Sequence, residues 1–347
     1  MTATRAPSLE AVERELDAFL AIEADRWRRV DERLAEPVAV LRDFVQSGGK
    51  RLRPAFCLWG AAGAGGDPDD PAAVRVAAAL ELLHAFALIH DDVMDGATTR
   101  RNRPAVHRHL EHDHARRGWT GEARRCAEGL AVLIGDLAFA YADHLARDLT
   151  GAARAIWDEL RIELTMGQWL DVTGAAGGDA DLDTAARIAV YKSGRYTVER
   201  PLHLGAAVGG AFDTLGPHFS AFGLPLGEAF QLRDDLLGVY GDPDTTGKPV
   251  GDDLREGKPT VLLALAKELA TGEDRRTLRL VGRPDLGADE VEALRAAIER
   301  CGAREAVEER IADRLAGARR ALDRAPVPAE VRDGLAALAV SCTERAA

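Results

Sequence analysis

The sequence contains few cysteines, and their spacing fits neither a disulfide framework nor a metal-binding pair. Its 347 residues include four cysteines, all far apart: Cys57, Cys126, Cys301 and Cys342. Isolated cysteines are typical of proteins in a reducing compartment. The N-terminus also lacks the apolar segment of a signal peptide. We therefore expect a soluble, cytoplasmic protein.

Long hydrophobic runs and an excess of positive charge are also missing. The longest apolar stretch, residues 76–89, is interrupted by Glu81 and His84, and it is shorter than the ~20 residues that cross a bilayer. We expect no stable insertion into a membrane. The formal net charge of −12 argues against nucleic acid as a partner. Any site for an anion must therefore be a local cluster of basic residues.

β-branched alternation is rare, and residues that favour helices dominate the chain. Apolar residues recur at helical spacing in long segments, namely 9–34, 71–91, 122–149, 152–170, 182–208 and 289–322. Short segments rich in glycine, proline and aspartate separate them. No repeat or low-complexity linker divides the chain. The sequence therefore predicts an all-α fold, a large helical bundle in which residues 1–347 form a single domain.

Three aspartates end the most apolar of these helices, in the segment LIHDDVMD (88–95). Asp91 and Asp95 are one turn apart and share a face with His84, whereas Asp92 points about 100° away. Two carboxylates this close repel each other unless a cation lies between them. Oxygen ligands of this kind suit Mg²⁺, which keeps several waters and shares phosphate oxygens. Taken alone, the motif is equally well explained as a solvated acidic helix end.

A second acidic pair lies on a different predicted helix. The segment FQLRDDLLG (230–238) carries Asp234 and Asp235, about one turn after Gln231. Two acidic clusters facing each other inside an apolar bundle would be unfavourable without a metal ion. The second motif therefore favours the metal-binding interpretation of both.

Six motifs occur in an order that resembles the trans-isoprenyl diphosphate synthases of the polyprenyl synthetase family. They are GGKRLRP (48–54), ELLHAFALIHDDVMD (81–95), RRNRP (100–104), GQWLD (167–171), YKSG (191–194) with FQLRDD (230–235), and GKPVGDDLREGKPT (247–260). The region that carries them spans residues 47–260. The resemblance implies a bundle of helices around a deep central cavity, usually as a homodimer.

The resemblance also implies a role for each acidic residue of the two motifs. Asp91 and Asp95 would bind two Mg²⁺ ions and Asp234 a third, giving three ions per active site that bridge to the diphosphate of an allylic substrate. Mn²⁺ is expected to substitute for Mg²⁺. Asp92 and Asp235 would support these ligands without binding metal themselves. Gly238 stands where the family usually has the last aspartate of the second motif. If Asp234 is the main ligand, this change should cost little; if the third carboxylate matters, the metal affinity should fall.

Two groups of mostly basic residues are assigned to two diphosphates, because ammonium and guanidinium groups suit phosphate oxygens. The resemblance places one group around the allylic diphosphate: Arg100, Lys192, Ser193, Gln231, Lys248 and Lys258. The other would form a metal-free site for isopentenyl diphosphate: Lys50, Arg53, His84 and Arg101. Most family members carry threonine at the position of Ser193. Its hydroxyl and the carbonyl of Lys192 are expected to stabilise a carbocation.

The activity implied is that of a Mg²⁺-dependent prenyltransferase, which condenses dimethylallyl, geranyl or farnesyl diphosphate with isopentenyl diphosphate. A class I terpene cyclase and a non-catalytic partner subunit are the alternatives. A cyclase needs no second diphosphate site, yet Lys50, Arg53 and Arg101 are all present. A degenerate subunit would be expected to lose aspartates of the first motif, and all three are retained.

The length of the product is expected to depend on side chains that precede the first motif. Phe86 lies five positions before Asp91, about 7.5 Å along a helix, and the next residue, Ala87, is small. In the family, an aromatic residue only at the deeper position is typical of enzymes that stop at twenty carbons. We therefore predict geranylgeranyl diphosphate, with farnesyl diphosphate as the alternative. Another helix, including one from a partner subunit, is the alternative floor of the cavity.

Overall fold

The structure is a computed structural model that describes residues 7–67, 69–177, 181–242, 251–283 and 285–343. Most of these residues are helical and very few are in strands, which confirms the predicted all-α fold. The α-helices are α1 (Leu9–Arg28), α2 (Ala35–Gln46), α3 (Leu52–Gly63), α4 (Pro71–Met94), α5 (Val106–Arg116), α6 (Ala123–Leu145), α7 (Gly151–Gly177), α8 (Leu182–Ile188), α9 (Arg200–Val208), α10 (Phe212–Tyr240), α11 (Asp252–Glu256), α12 (Val261–Leu269), α13 (Gly272–Thr277), α14 (Ala288–Arg300), α15 (Ala303–Asp323) and α16 (Ala329–Thr343).

Short elements complete the description. A π-helix, Ala189–Glu199, connects α8 to α9, and 3₁₀ turns occupy Glu32–Leu34 and Leu278–Leu280. Two two-residue strands, β1 (Thr99–Arg100) and β2 (Arg103–Pro104), pair antiparallel between α4 and α5. This small hairpin follows directly after the first acidic motif.

Helix α4 forms the centre of the bundle. The Asp70 carboxylate accepts hydrogen bonds from the N–H groups of Ala72 and Ala73 and caps its N-terminus. By length and composition this helix could cross a membrane, but 67% of its most apolar stretch of 18 residues is buried inside the fold. It is therefore a core helix, longer than the apolar stretch 76–89 recognised in the sequence.

The predicted continuous helix over 182–208 is interrupted in the structure by the π-helix. Glycines at two contacts allow neighbouring backbones to approach it closely. A Cβ atom built at Gly167 of α7 would lie 2.5 Å from the backbone nitrogen of Lys192, and one at Gly227 of α10 would lie 2.5 Å from Cα of Gly194. Because only glycine fits at such distances, these contacts fix the position of the π-helix between α7 and α10.

Two predicted helix boundaries are wrong for a local reason. The segment 289–322 is two helices, because Gly302 has φ of 81° and so ends one helix before the other begins. Helix α1 ends at Arg28 rather than near residue 34, and a short 3₁₀ turn follows. Neither break contributes a residue to the lining of the cavity described below.

Candidate active site

One cavity of about 760 Å³ opens between the C-terminal part of α4 and the corresponding part of α10. Both helices carry acidic residues near their C-terminal ends, after apolar segments, and the fold brings the two motifs to the same cavity. The predicted residues that line the cavity are Lys50, Arg53, His84, Ala87, Asp91, Arg100, Arg101, Lys192, Ser193, Gln231, Asp234, Asp235 and Lys258. Asp92, Asp95 and Phe86 are not among its lining residues, and Lys248 lies outside the described residues.

Asp91 is held from two sides of the cavity. Lys192 Nζ of the π-helix lies 2.9 Å from Asp91 Oδ1, and Gln168 Nε2 of α7 donates to the same oxygen at 2.9 Å. Burial alone would raise the pKa of Asp91, but the nearby charges of Lys192, Lys258 and Arg100 hold it well below its usual range. Asp91 is therefore ionised, as a metal ligand must be.

Lys258 approaches the first motif from the other side. Its Nζ lies 2.8 Å from Asp95 Oδ2, 2.8 Å from Glu256 Oε2 and 3.8 Å from Asp253 Oδ1. Burial works against its charge, but these carboxylates and Asp91 raise the pKa of Lys258 well above its usual value. The cavity therefore holds a permanent positive charge beside Asp95.

Asp92 is completely buried and is directed away from the cavity. Its Oδ1 accepts hydrogen bonds from the guanidinium of Arg100, one of them from Nε at 2.9 Å. This contact leaves Arg100 Nη2 only 3.8 Å from Asp91 Oδ2. Asp92 thus positions the arginine beside the cavity.

The second motif concentrates negative charge on α10. Asp235 is buried and accepts a hydrogen bond of 2.7 Å from Gln231 Nε2. Burial raises the pKa of Asp235 to about 8; the Gln231 hydrogen bond opposes this rise, whereas the negative charges of Asp253 and Asp234 add to it. A cation bound here would relieve this repulsion.

The donor set fits Mg²⁺ held jointly by carboxylates and phosphate oxygens. In the described part of the chain, no three or more His, Cys, Asp and Glu side chains are grouped closely enough to hold a metal ion. Mg²⁺ usually takes one or two carboxylates and completes its coordination with water and substrate phosphates. Asp91 and Asp95 on one side, and Asp234 on the other, supply carboxylates of this kind. Metal and diphosphate are therefore expected to bind together.

A second group of basic residues, Lys50, Arg53 and Arg101, lines the same cavity together with His84. Arg53 lies over the ring of Tyr196 at 4.2 Å and donates to Thr197 Oγ1 at 2.8 Å, and His84 Nδ1 is 3.0 Å from Tyr196 Oη. Burial and the charges of Arg53, Arg101 and other arginines hold the pKa of His84 well below its usual value. His84 is therefore neutral in a strongly positive pocket.

The glycines of GGKRLRP shape this pocket. Gly48 and Gly49 have φ of 106° and 133°, a backbone conformation that disfavours other residues. A Cβ atom at Gly49 would lie 2.9 Å from Arg101 Nη2. The loop therefore lets the guanidinium of Arg101 approach its backbone beside Lys50.

Sequence reasoning missed several residues that the fold adds to the cavity. Asp171 lines it and bonds Lys192 Nζ, while Gln168 holds Asp91. Both belong to the GQWLD motif, in which a glutamine and an aspartate three residues apart share a helix face. Arg51 pairs with buried Glu81 and neutralises it beneath the second cationic group.

The two positions proposed as the floor of the cavity face different ways. Ala87 lies one turn before Asp91 and lines the cavity. The ring of Phe86 instead packs against Phe139 of α6 and against His90, with centroid separations of 4.9 and 4.7 Å. The side chain of Phe86 therefore packs between α4 and α6 and does not line the cavity.

Comparisons with known proteins agree with this geometry. The polyprenyl synthetase family model matches residues 36–299. A short chain isoprenyl diphosphate synthase of Methanothermobacter thermautotrophicus is 33% identical over 79% of this chain and 83% of its own. A geranylfarnesyl diphosphate synthase of Aeropyrum pernix is 33% identical over 87% and 92%. The structure of a Corynebacterium glutamicum geranylgeranyl pyrophosphate synthase, in complex with isoprenyl diphosphate and magnesium, has a TM-score of 0.93 and 38% identity, covering 97% of this chain and 98% of that one.

Proposed function

The chain belongs to the polyprenyl synthetase family and is a short-chain prenyltransferase, and we propose that its cavity joins an allylic diphosphate to isopentenyl diphosphate. The observation that carries this proposal is that one cavity is lined by two sets of basic residues with different contacts. Lys192, Lys258 and Arg100 lie beside the aspartates of the first motif. Arg53 instead lies over Tyr196 and donates to Thr197. A class I terpene cyclase would need only the group beside the aspartates. The group formed by Lys50, Arg53, His84 and Arg101 has the composition of a second diphosphate site.

We propose that Asp91 and Asp95 hold two Mg²⁺ ions and that Asp234 holds a third. Bound Mg²⁺ would neutralise the diphosphate of the allylic substrate. Asp92 would act by positioning Arg100, and Asp235 by supporting Asp234. The carboxylate donor set and the magnesium complex of the Corynebacterium glutamicum enzyme support this assignment.

In the proposed reaction, cationic side chains stabilise the departing diphosphate. Lys192, Lys258 and Arg100 lie beside Asp91 and Asp95, where this group would be bound. As the allylic C–O bond breaks, its electron pair remains on the diphosphate and a carbocation forms, so fixed positive charges lower the barrier. Gln231, Ser193 and Lys248 are the remaining residues that we assign to this substrate.

The second half of the reaction forms the carbon–carbon bond. The double bond of isopentenyl diphosphate, anchored by Lys50, Arg53 and Arg101, attacks the carbocation, because the cavity holds both partners close together. A proton is then lost to the released diphosphate, and a new double bond forms. The Ser193 hydroxyl and the Lys192 carbonyl, both on the π-helix, would stabilise the carbocation before the attack.

We propose geranylgeranyl diphosphate as the product, with farnesyl diphosphate as the alternative. The small Ala87 on the cavity face leaves room for chain growth beside α4. The relatives above include enzymes for twenty and twenty-five carbons, so the length must be measured. Incubation with dimethylallyl and isopentenyl diphosphates, followed by sizing of the dephosphorylated alcohols, tests both activity and length. Product formed from an allylic diphosphate alone would instead favour a cyclase, and activity only with an added protein would favour a partner subunit.

We also propose that the protein is a homodimer. An apolar stripe is exposed on α7, where Ile162, Met166 and Trp169 are 54%, 58% and 68% exposed, and Leu133 of α6 is 63% exposed. Large exposed apolar side chains on neighbouring helices are typical of an interface. Sedimentation equilibrium of the protein and of Trp169→Glu tests this proposal. A monomeric wild-type protein would contradict it.

A further inference from the structure

The two acidic motifs differ at one helical position. Asp95, the residue directly after α4, follows Asp91 by four positions and keeps helical backbone angles, so the two carboxylates lie on one side of the helix end. On α10, the residue four positions after Asp234 is Gly238, which carries no side chain. The second motif therefore lacks the carboxylate that corresponds to Asp95.

The carboxylate of Asp253 fills the space beside Gly238. A Cβ atom built at Gly238 would lie 1.8 Å from Asp253 Oδ2, 2.5 Å from its Cγ and 3.1 Å from its Oδ1. These are the three nearest atoms, and all belong to the same carboxylate. Any side chain at position 238 would displace it, so the absence of one is what allows Asp253 to lie there.

The short helix α11 holds Asp253 in this place. Gly251 and Gly257, with φ of 73° and 66°, bound the helix at its two ends, and the N–H of Lys258 donates to the Asp253 carbonyl at 3.1 Å. The Asp253 side chain is largely buried and lines the cavity together with Asp234. The backbone of the segment thus fixes both Asp253 and the lysine that follows it.

Lys258 lies between Asp253 and the first acidic motif. Its single ammonium group lies 2.8 Å from Asp95 Oδ2 and 3.8 Å from Asp253 Oδ1. Asp95 and Asp253 therefore face each other across one cation. This is the arrangement expected if Asp253 takes, beside Asp234, the place that Asp95 takes beside Asp91.

We propose that Asp253 supplies the carboxylate that Gly238 does not, and helps Asp234 to hold the divalent cation that binds with the diphosphate. The inference rests on the metal site proposed above. A carboxylate oxygen suits Mg²⁺ or Mn²⁺, either as a ligand or by holding a bound water. The carboxylate that the second motif lacks at position 238 is therefore supplied by Asp253 of α11.

Mn²⁺ binding tests the proposal without relying on turnover. Wild type, Asp253→Asn and the control Asp242→Asn are titrated with Mn²⁺ in the presence of inorganic diphosphate, and unbound Mn²⁺ is measured by electron paramagnetic resonance. Asp242 is exposed, lies four residues after Gly238, and does not line the cavity. Asp253→Asn should weaken one class of Mn²⁺ site by about 10- to 100-fold, whereas the control should bind like wild type.

Relocating the carboxylate provides the second arm of the test. Asp253→Ala clears the space beside Gly238, and adding Gly238→Asp returns one carboxylate to that space from α10. The double variant should regain most of the affinity that Asp253→Ala loses. Gly238→Asp alone crowds two carboxylates together and should bind Mn²⁺ less tightly than wild type.

Two results would overturn the proposal: wild-type Mn²⁺ affinity in Asp253→Asn, or a double variant that binds no better than Asp253→Ala. Thermal melting establishes that each variant folds. If Asp253→Asn does not fold, the double variant decides, since it keeps one carboxylate in place. A wild-type protein that binds no Mn²⁺ with diphosphate would remove the proposed metal site itself, and with it this inference.

Discussion

The ammonium nitrogen of Lys192 lies 2.9 Å from a carboxylate oxygen of Asp91, although the two residues are far apart in the sequence. The contact joins the π-helix to the end of α4. It also places a proposed diphosphate-binding cation directly on a proposed metal ligand. Before substrate binds, each group thus neutralises the other in a buried cavity where an unpaired charge would be costly.

Removing Asp91 should abolish most of the turnover. With Asp91→Ala, the diphosphate loses a metal ligand, and we expect kcat to fall by at least about 10²–10³-fold, as for other lost electrostatic contacts to a developing charge. Asp213→Ala, on the surface of α10, is the control. Steady-state rates with Mg²⁺, Mn²⁺ and excess chelator provide the measurement. Full activity in chelator would refute the metal assignment.

The two cationic groups should be separable by kinetics. Arg53→Ala removes charge from the group around Tyr196, so the KM for isopentenyl diphosphate should rise by about 10- to 100-fold, as expected for the loss of a charge-assisted contact. The KM for the allylic substrate should change little. Arg53→Lys is the matched control, since it keeps the charge and should recover part of the affinity. Equal effects on both substrates would show that the sites are wrongly assigned.

Stability at acidic pH should depend on His84. Its pKa in the folded protein is held below the ordinary value of 6.5 by burial and by neighbouring arginines. As the pH falls below 6.5, the unfolded chain therefore takes up a proton that the folded protein resists, and the free energy of unfolding decreases. One such group contributes at most about 1.4 kcal/mol per pH unit.

The measurement for His84 compares denaturant unfolding at pH 7.5 and pH 5.5. Wild type should lose more stability over this range than His84→Gln, which cannot be protonated. The other histidines are common to both proteins, so the difference isolates His84. An equal loss in the two proteins would contradict the depressed pKa.

Product length should respond differently at the two positions before the first motif. Ala87→Phe places a ring in the cavity one turn below Asp91 and should shorten the product to fifteen carbons. Phe86→Ala should lengthen the product if Phe86 is the floor, by opening space between α4 and α6 beside Phe139. Chromatography of the dephosphorylated alcohols measures both. An unchanged product in Phe86→Ala would show that another side chain forms the floor.

Close packing beneath the π-helix should be needed for turnover. A Cβ atom at Gly167 would lie 2.5 Å from the backbone nitrogen of Lys192, so Gly167→Ala must shift the segment that carries Lys192. We expect this variant to lose stability by about 1–3 kcal/mol and to turn over more slowly. Gly177→Ala, in the same helix and without a neighbour within 4 Å of the added atom, is the control. Melting temperature and kcat are measured for both variants, and wild-type values for Gly167→Ala would contradict the prediction.

The sequence alone was enough to predict an all-α fold, to indicate the family and to identify the residues of the motifs. Helical periodicity is a local property, so apolar spacing predicted α4 and α6. The chemistry of Asp91, Asp234 and Arg53 is equally a property of the residues themselves. Their order along the chain was therefore sufficient for the family resemblance that the comparisons confirmed.

Contacts between distant segments were decided only by the tertiary structure. The sequence could not show that the ring of Phe86 packs on α6, that Lys258 pairs with Asp95, or that a π-helix interrupts 182–208. The same holds for Gly238. In the sequence, its missing side chain indicates only that the second motif has lost a carboxylate. In the fold it opens space for Asp253, because α11 passes beside α10 at that point. Such relationships depend on how close two backbones lie, and no local pattern specifies that distance.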